Sequence, residues 1–136
     1  MFQDVQRWKI VLIAWILIII VVCSFPWWVD SPRWARVRWI PLVDMFRSYR
    51  LLRDAVANCV LYMPLGFAYV RLRGTPHATF VWEAAIVGLA LSLTCEFYQV
   101  FSPVRFPSMT DVVMNTIGAF AGALLAGRLS ASPARK

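Results

Sequence analysis

Four long apolar blocks, separated by short polar stretches, dominate the pattern of the chain. They lie at about residues 10–29, 55–72, 78–101 and 109–127. Each block is close to the ~20 apolar residues with which an α-helix crosses about 30 Å of hydrocarbon. The pattern therefore predicts an all-α membrane protein with four transmembrane helices, forming a single domain over residues 1–136.

The first block has a competing interpretation as a cleaved signal peptide. Val22 and Ser24 resemble a small-residue cleavage site, but the block is long and lacks an A-x-A pattern. Trp8 at one end and the pair Trp27 and Trp28 at the other match the aromatic belts that mark membrane interfaces. We therefore expect a retained transmembrane helix.

The stretch between the first two blocks, from Asp30 to Arg53, interleaves arginines with aromatic residues. These residues are Arg33, Arg36, Arg38, Arg47, Arg50 and Arg53, together with Trp34, Trp39, Phe46 and Tyr49. Such a mixture is typical of a segment that lies at the level of the lipid head groups. The alternative is a solvated loop whose aromatic residues are incidental.

Composition narrows the partners of this protein. Hydrophobic residues make up 60% of the chain, and 14 Lys and Arg outweigh 7 Asp and Glu to give a net charge of +7. The basic residues lie between the apolar blocks and form no stripe on a soluble face, which argues against nucleic acid. Their position favours anionic lipid head groups as partners.

The cysteines and the single histidine suggest no cofactor. Cys23, Cys59 and Cys95 are odd in number and contain no C-x-x-C pair, so we expect no disulfide framework. His77 is the only histidine. The sequence predicts neither a metal site nor an organic cofactor.

The orientation in the membrane follows from the position of the charges rather than from their number. Four spans place both termini on one side, and the 14 basic residues divide equally between the two faces. The basic residues on the terminal side lie close to helix ends in short segments. By the positive-inside rule, this favours termini in the cytoplasm.

Topology brings polar residues from three separate stretches to one membrane face, where helix 2 starts, helix 3 ends and helix 4 starts. This set consists of Arg53, Asp54, Asn58, Glu96, Gln99, Arg105, Ser108, Asp111 and Asn115. Glu96 and Gln99 are three positions apart, and Asp111 and Asn115 are four apart, so each pair shares a helix face. Ionisable groups inside a membrane usually face a partner or a wet cavity.

Two interpretations of this polar set remain open. In the functional one, Arg53, Asn58, Gln99, Arg105 and Asn115 bind an anionic head group. Glu96 and Asp111 then act as general acid and base.

In the structural interpretation, the same residues lock helices together. The spacing of Ser108 and Asp111 resembles a capping box, Glu96 pairs with a nearby arginine, and the amides form interhelical hydrogen bonds.

Small residues and a proline are predicted to shape the helices. Pro64 kinks helix 2, where Gly66 follows it, and Gly118 and Gly122 form a G-x-x-x-G on helix 4. Small residues at that spacing let helices approach closely. Helix 4 is therefore also a candidate surface for a homo-oligomer.

Two stretches of the chain resemble the VanZ-like membrane proteins. The first is Asn58-x5-Pro64-Leu-Gly66-Phe. The second is Glu96-x2-Gln99, an arginine turn with Arg105, and then Asp111-x3-Asn115-x2-Gly118. The resemblance covers roughly residues 54–127. It implies a small four-helix protein of the bacterial cell envelope, placed in the cytoplasmic membrane, and a family whose namesake is linked to resistance to the glycopeptide teicoplanin.

Three functions are compatible with these observations. The first is binding of an anionic lipid or lipid-linked glycan head group, and the second is an enzyme acting on such a lipid. The third is a structural or assembly subunit of a membrane complex, in which the polar residues only hold helices together.

Overall fold

The computed structural model describes residues 2–43, 45–74 and 77–131. Its helices are α1 (Phe2–Ser24), α2 (Tyr49–Arg73), α3 (Ala78–Val100) and α4 (Met109–Ala131). All four are long and apolar enough to cross a membrane, and the described ranges contain no β-strand. The predicted all-α, four-span membrane protein is confirmed.

The bounds of α1 and α2 differ from the predicted ones. Helix α1 ends at Ser24 instead of continuing to residue 29. Pro26 has no N–H to donate and disfavours helical backbone at the residue before it. Helix α2 begins at Tyr49 instead of near residue 55, because the Ser48 side chain caps it by accepting a 3.3 Å hydrogen bond from the Leu51 N–H.

The glycines of α2 and α4 let these two helices pack backbone against backbone. A Cβ added to Gly66 would overlap the carbonyl oxygen of Ala119, and one added to Gly122 would overlap that of Met63. Gly118 meets the Cys59 carbonyl in the same way. The G-x-x-x-G face is therefore occupied by α2 within one chain, and self-association through α4 stays a prediction that would have to use its outer face.

Helix α1 lies at the edge of the bundle, because only 11% of the residues in its apolar stretch are buried. Side-chain hydrogen bonds to α2 and from α3 attach it to the other helices. The Trp15 indole donates to the carbonyl of Leu61, at 2.8 Å, in the turn of α2 that precedes Pro64. The Gln99 side-chain amide donates to the carbonyl of Cys23, at 3.0 Å, in the last turn of α1. Both carbonyls lie where a helix ends or is disturbed by proline.

The segment between α1 and α2 folds back over the turn between α3 and α4. Its Asp30 and Arg33 N–H groups donate to the carbonyls of Phe101 and Val100 at the end of α3. Arg38 then forms an isolated parallel bridge with Ser108. This segment is thus a folded cover over one end of the bundle, with Ile40 (69% exposed) and Phe46 (78%) on its surface. Its location at the head-group level stays a prediction.

Candidate functional site

A cavity of about 730 Å³ lies at the membrane face where α2 begins, α3 ends and α4 begins. The segment between α1 and α2 contributes part of its wall. Of the residues predicted for a site, the cavity is lined by Arg53, Asn58, Gln99, Arg105 and Asp111, and also by Asp54 and Ser108 from the polar set. Residues from three separate stretches of sequence therefore meet there, as the topology predicted.

Arg38 and Arg105 are the two arginines of this cavity that form no ion pair with a described carboxylate, although the Asp111 carboxylate attracts both at longer range. Both are partly buried, and no ion pair among the described residues includes either of them. The Nε of Arg38 is buried without a hydrogen-bond acceptor. Two cationic groups are thus available to an anion in the cavity.

The other two arginines of the cavity share one carboxylate. Arg53 contacts Asp54 at 3.1 Å and Arg50 approaches it at 4.0 Å. These side chains are more than 45% exposed, so water screens their attraction. This group keeps one positive charge in excess, but it is exposed to water, whereas Arg38 and Arg105 are partly buried.

Asp111 lies on the first turn of α4, with Arg38, Arg105 and the Asn58 side chain as its near electrostatic neighbours. A capping box would have its carboxylate accept from the Ser108 N–H. In the structure Oε2 of Glu96 accepts that bond at 2.7 Å, while the Ser108 hydroxyl accepts from the Thr110 N–H at 3.2 Å. Asp111 therefore has no capping role and faces the cavity.

The remaining predicted residues bond other elements in the protein interior. Glu96 and Asn115 are buried and do not line the cavity. The Asn115 amide donates to the Ser92 hydroxyl at 2.8 Å, which joins α4 to α3. Gln99 reaches the cavity wall, but its amide N–H is bound to Cys23. Pro64, Gly66, Gly118 and Gly122 lie outside the cavity wall, where α2 and α4 pack.

Arg38 is a cavity residue that the sequence pattern did not distinguish from the other arginines of its segment. Its position depends on the bridge to Ser108, in which the Arg38 N–H donates to the Pro107 carbonyl at 2.9 Å and its own carbonyl accepts from Met109 at 3.0 Å. No local periodicity signals such a long-range pairing.

Outside the spans, Asp30 fixes the start of the covering segment. The backbone N–H of Ser31 and the guanidinium of Arg33 both bond its carboxylate, and they hold its pKa below the usual range. No group of three or more histidine, cysteine or acidic side chains within the described ranges could hold a metal ion.

The family model for VanZ/LLP1 matches residues 8–130. The chain belongs to the VanZ/LLP1 family. Neither a curated protein nor a solved structure gives a significant match to it. In this VanZ/LLP1 protein the matched region reaches from α1 to α4 and includes the covering segment, so it contains the whole cavity wall.

Proposed function

We propose that this VanZ/LLP1 protein binds the head group of an anionic lipid or lipid-linked glycan in the cavity lined by Arg38, Arg105 and Asp111. One observation carries the proposal most directly. The two arginines are partly buried, form no ion pair with a described carboxylate, and line the same cavity. A phosphate would supply the missing partner, because guanidinium groups bind phosphate oxygens by charge-assisted hydrogen bonds.

The cost of burying a charge supports this assignment. A guanidinium that leaves water without a partner loses hydration free energy, and a bound anion offsets that loss. Structural arginines in this protein have partners, as Arg33 does with Asp30 and Arg73 does with Glu83. A pair without partners is expected where a ligand supplies the anion.

The size and the lining of the cavity fit a lipid head group. A volume of about 730 Å³ falls within the roughly 300–1,000 Å³ that is usual for small-molecule sites. Val22, Val104 and Phe106 add an apolar part to the wall, and each is more than half exposed. Apolar side chains beside the charged groups suit a molecule that joins an acyl chain to a phosphate.

The structural alternative accounts for a different group of residues. Glu96, Gln99 and Asn115 each bond another element, as residues that only hold helices together would. The guanidinium groups of Arg38 and Arg105 form no ion pair among the described residues, so helix locking does not explain them. Asp111 on α4 does contact the Asn58 side chain of α2, which bonds its carboxylate, and it lines the cavity as well. Since Glu96 does not line the cavity, we assign it to positioning Ser108, and we favour binding over acid–base catalysis.

The family resemblance suggests the setting of this function. We infer a bacterial cytoplasmic membrane with cytoplasmic termini, which places the cavity on the outer face. A lipid-linked cell-wall glycan would then be within reach. A link to teicoplanin resistance, as for the namesake of the family, is the corresponding expectation for cells that express the protein.

Native mass spectrometry of protein extracted in mild detergent tests the proposal. We expect a discrete phosphate-bearing lipid mass on the wild type and its loss from an Arg38→Gln/Arg105→Gln variant. The matched control is Arg7→Gln/Arg128→Gln, which removes the same charge at the opposite membrane face. That control should retain the lipid mass.

Folding is checked by helical circular dichroism and by the elution volume of each variant. Lipid retained by a folded Arg38→Gln/Arg105→Gln protein would refute the proposal. A wild type that carries no discrete lipid, even after addition of anionic lipid extract, would refute it as well.

A further inference from the structure

The Asp111 carboxylate lies in the cavity beside Arg38 and Arg105, which form no ion pair of their own. A ligand of this cavity must therefore suit a hydrogen-bond acceptor as well as two cations. Asp111 has Arg38 and Arg105 as near neighbours, and Asn58 lies beside it. Because Glu96 takes over the capping bond to Ser108, no described backbone N–H bonds the Asp111 side chain. The Asn58 side chain bonds this carboxylate, and the remaining lone pairs of its two oxygens are left for whatever occupies the cavity.

We infer, on the basis of the proposed function, that the head group carries hydroxyl groups close to its phosphate, as a polyol or sugar phosphate does. A bare phosphomonoester would bring negative charge next to the Asp111 carboxylate with no donor to offer it, and like charges at short range repel. A hydroxyl would donate to Asp111 or Asn58 while the phosphate is held by Arg38 and Arg105.

The volume of the cavity supports a head group of two parts. A phosphate alone would leave most of the roughly 730 Å³ unoccupied. A phosphate joined to glycerol or to a hexose would reach both the arginine pair and the acceptor pair formed by Asn58 and Asp111. The site then selects by hydroxyl groups as well as by charge.

Two sources could supply such a group, a membrane lipid or a free polyol phosphate. The apolar part of the wall, with Val104 and Phe106 more than half exposed, favours the lipid. Its acyl chains would lie along these side chains, whereas a free polyol phosphate has nothing apolar to place there. We therefore assign the site to a polyol-phosphate lipid.

The experiment compares the affinity of delipidated protein in detergent for phosphatidylglycerol, phosphatidic acid and phosphatidylcholine with identical acyl chains, and for free glycerol phosphate. We expect phosphatidylglycerol to bind about tenfold more tightly than phosphatidic acid, the worth of one good charge-assisted hydrogen bond. Free glycerol phosphate should bind at least tenfold more weakly than phosphatidylglycerol.

A substitution that nearly preserves shape gives the sharper test. Asp111→Asn should lower the preference for phosphatidylglycerol over phosphatidic acid about tenfold, because the repulsion of the phosphomonoester is removed and an acceptor is weakened. Asp4→Asn, which makes the same chemical change on an exposed residue of α1 outside the cavity wall, should leave the preference unchanged.

The outcomes separate this inference from the proposed function. Phosphatidic acid binding as tightly as phosphatidylglycerol, with both lost in Arg38→Gln/Arg105→Gln, would overturn the hydroxyl requirement and leave the anion site intact. Equal binding of free glycerol phosphate and phosphatidylglycerol would overturn the lipid source. Anionic lipids that bind no better than phosphatidylcholine would overturn both the inference and the proposed function.

Discussion

The backbone N–H of Ser108 donates a 2.7 Å hydrogen bond to Oε2 of Glu96, which joins the residue preceding α4 to the last turns of α3. Both residues are buried, at 1% and 5% exposure. The bond fixes the turn that carries Arg105, and it leaves Asp111 to the cavity. Glu96, which the sequence predicts as a catalytic group, therefore positions the α3–α4 turn beside the cavity.

Replacing Glu96 should separate this positioning role from acid–base chemistry. Glu96→Ala leaves the Ser108 N–H buried without an acceptor and should lower the free energy of unfolding by about 1–3 kcal/mol. Glu96→Gln keeps a carbonyl oxygen in place and should lose less. Thermal unfolding in detergent, followed by circular dichroism, measures both. Equal losses, or an Ala variant as stable as wild type, would contradict the assignment.

The close packing of α2 and α4 makes a single added methyl group costly. In Gly122→Ala the new Cβ would overlap the Met63 carbonyl, so the two backbones must separate. We expect a loss of about 1–3 kcal/mol in stability, as for other overpacked interiors. Ile117→Phe adds volume on the outer face of α4, where Ile117 is 47% exposed, and should have little effect. Comparable melting temperatures of the two variants would argue against this interface.

The bond from Trp15 to the Leu61 carbonyl should depend on the proline that follows it in α2. Trp15→Phe removes the donor and should cost about 0.5–1.5 kcal/mol. In a Pro64→Ala background the N–H regained at position 64 bonds the Val60 carbonyl and α2 straightens. The Leu65 N–H can then bond the Leu61 carbonyl more closely, so the same substitution should cost less. A double-mutant cycle on unfolding free energies measures this coupling. Additive effects would show that the indole does not compensate for the proline.

Bound lipid should stabilise the fold, because a ligand that binds only the folded state raises its stability by mass action. At a free concentration of about 100 times the Kd, the gain is roughly 2.7 kcal/mol. Adding phosphatidylglycerol to delipidated wild type should therefore raise the melting temperature. Arg38→Gln/Arg105→Gln should show no rise, while Arg7→Gln/Arg128→Gln should behave as wild type does. An equal rise in all three proteins would indicate a general detergent–lipid effect.

The sequence predicted the helices because long apolar blocks have few alternatives in a membrane. It also predicted that Asn58, Arg105 and Asp111 would meet, since the order of the spans brings the relevant helix ends to one face. The bounds of α1 and α2 were less well predicted, because they depend on Pro26 and on the Ser48 cap.

Residue spacing could not predict which members of the polar set line the cavity and which bond other helices. Glu96 and Gln99 share a helix face, yet one bonds the α3–α4 turn and the other bonds α1. Which way each side chain points depends on how the helices rotate against each other. Arg38 reaches the cavity through a bridge to Ser108, a contact between distant parts of the chain that leaves no local pattern.

An experimental structure of the protein, crystallised from a lipidic mesophase with phosphatidylglycerol, would show directly whether the cavity binds a lipid head group. We expect density for a phosphate within ion-pairing distance of both Arg38 and Arg105, with glycerol hydroxyl groups directed to Asp111 and Asn58. A well-ordered cavity that contains no phosphate, with these two arginines paired to carboxylates of the protein, would contradict this expectation.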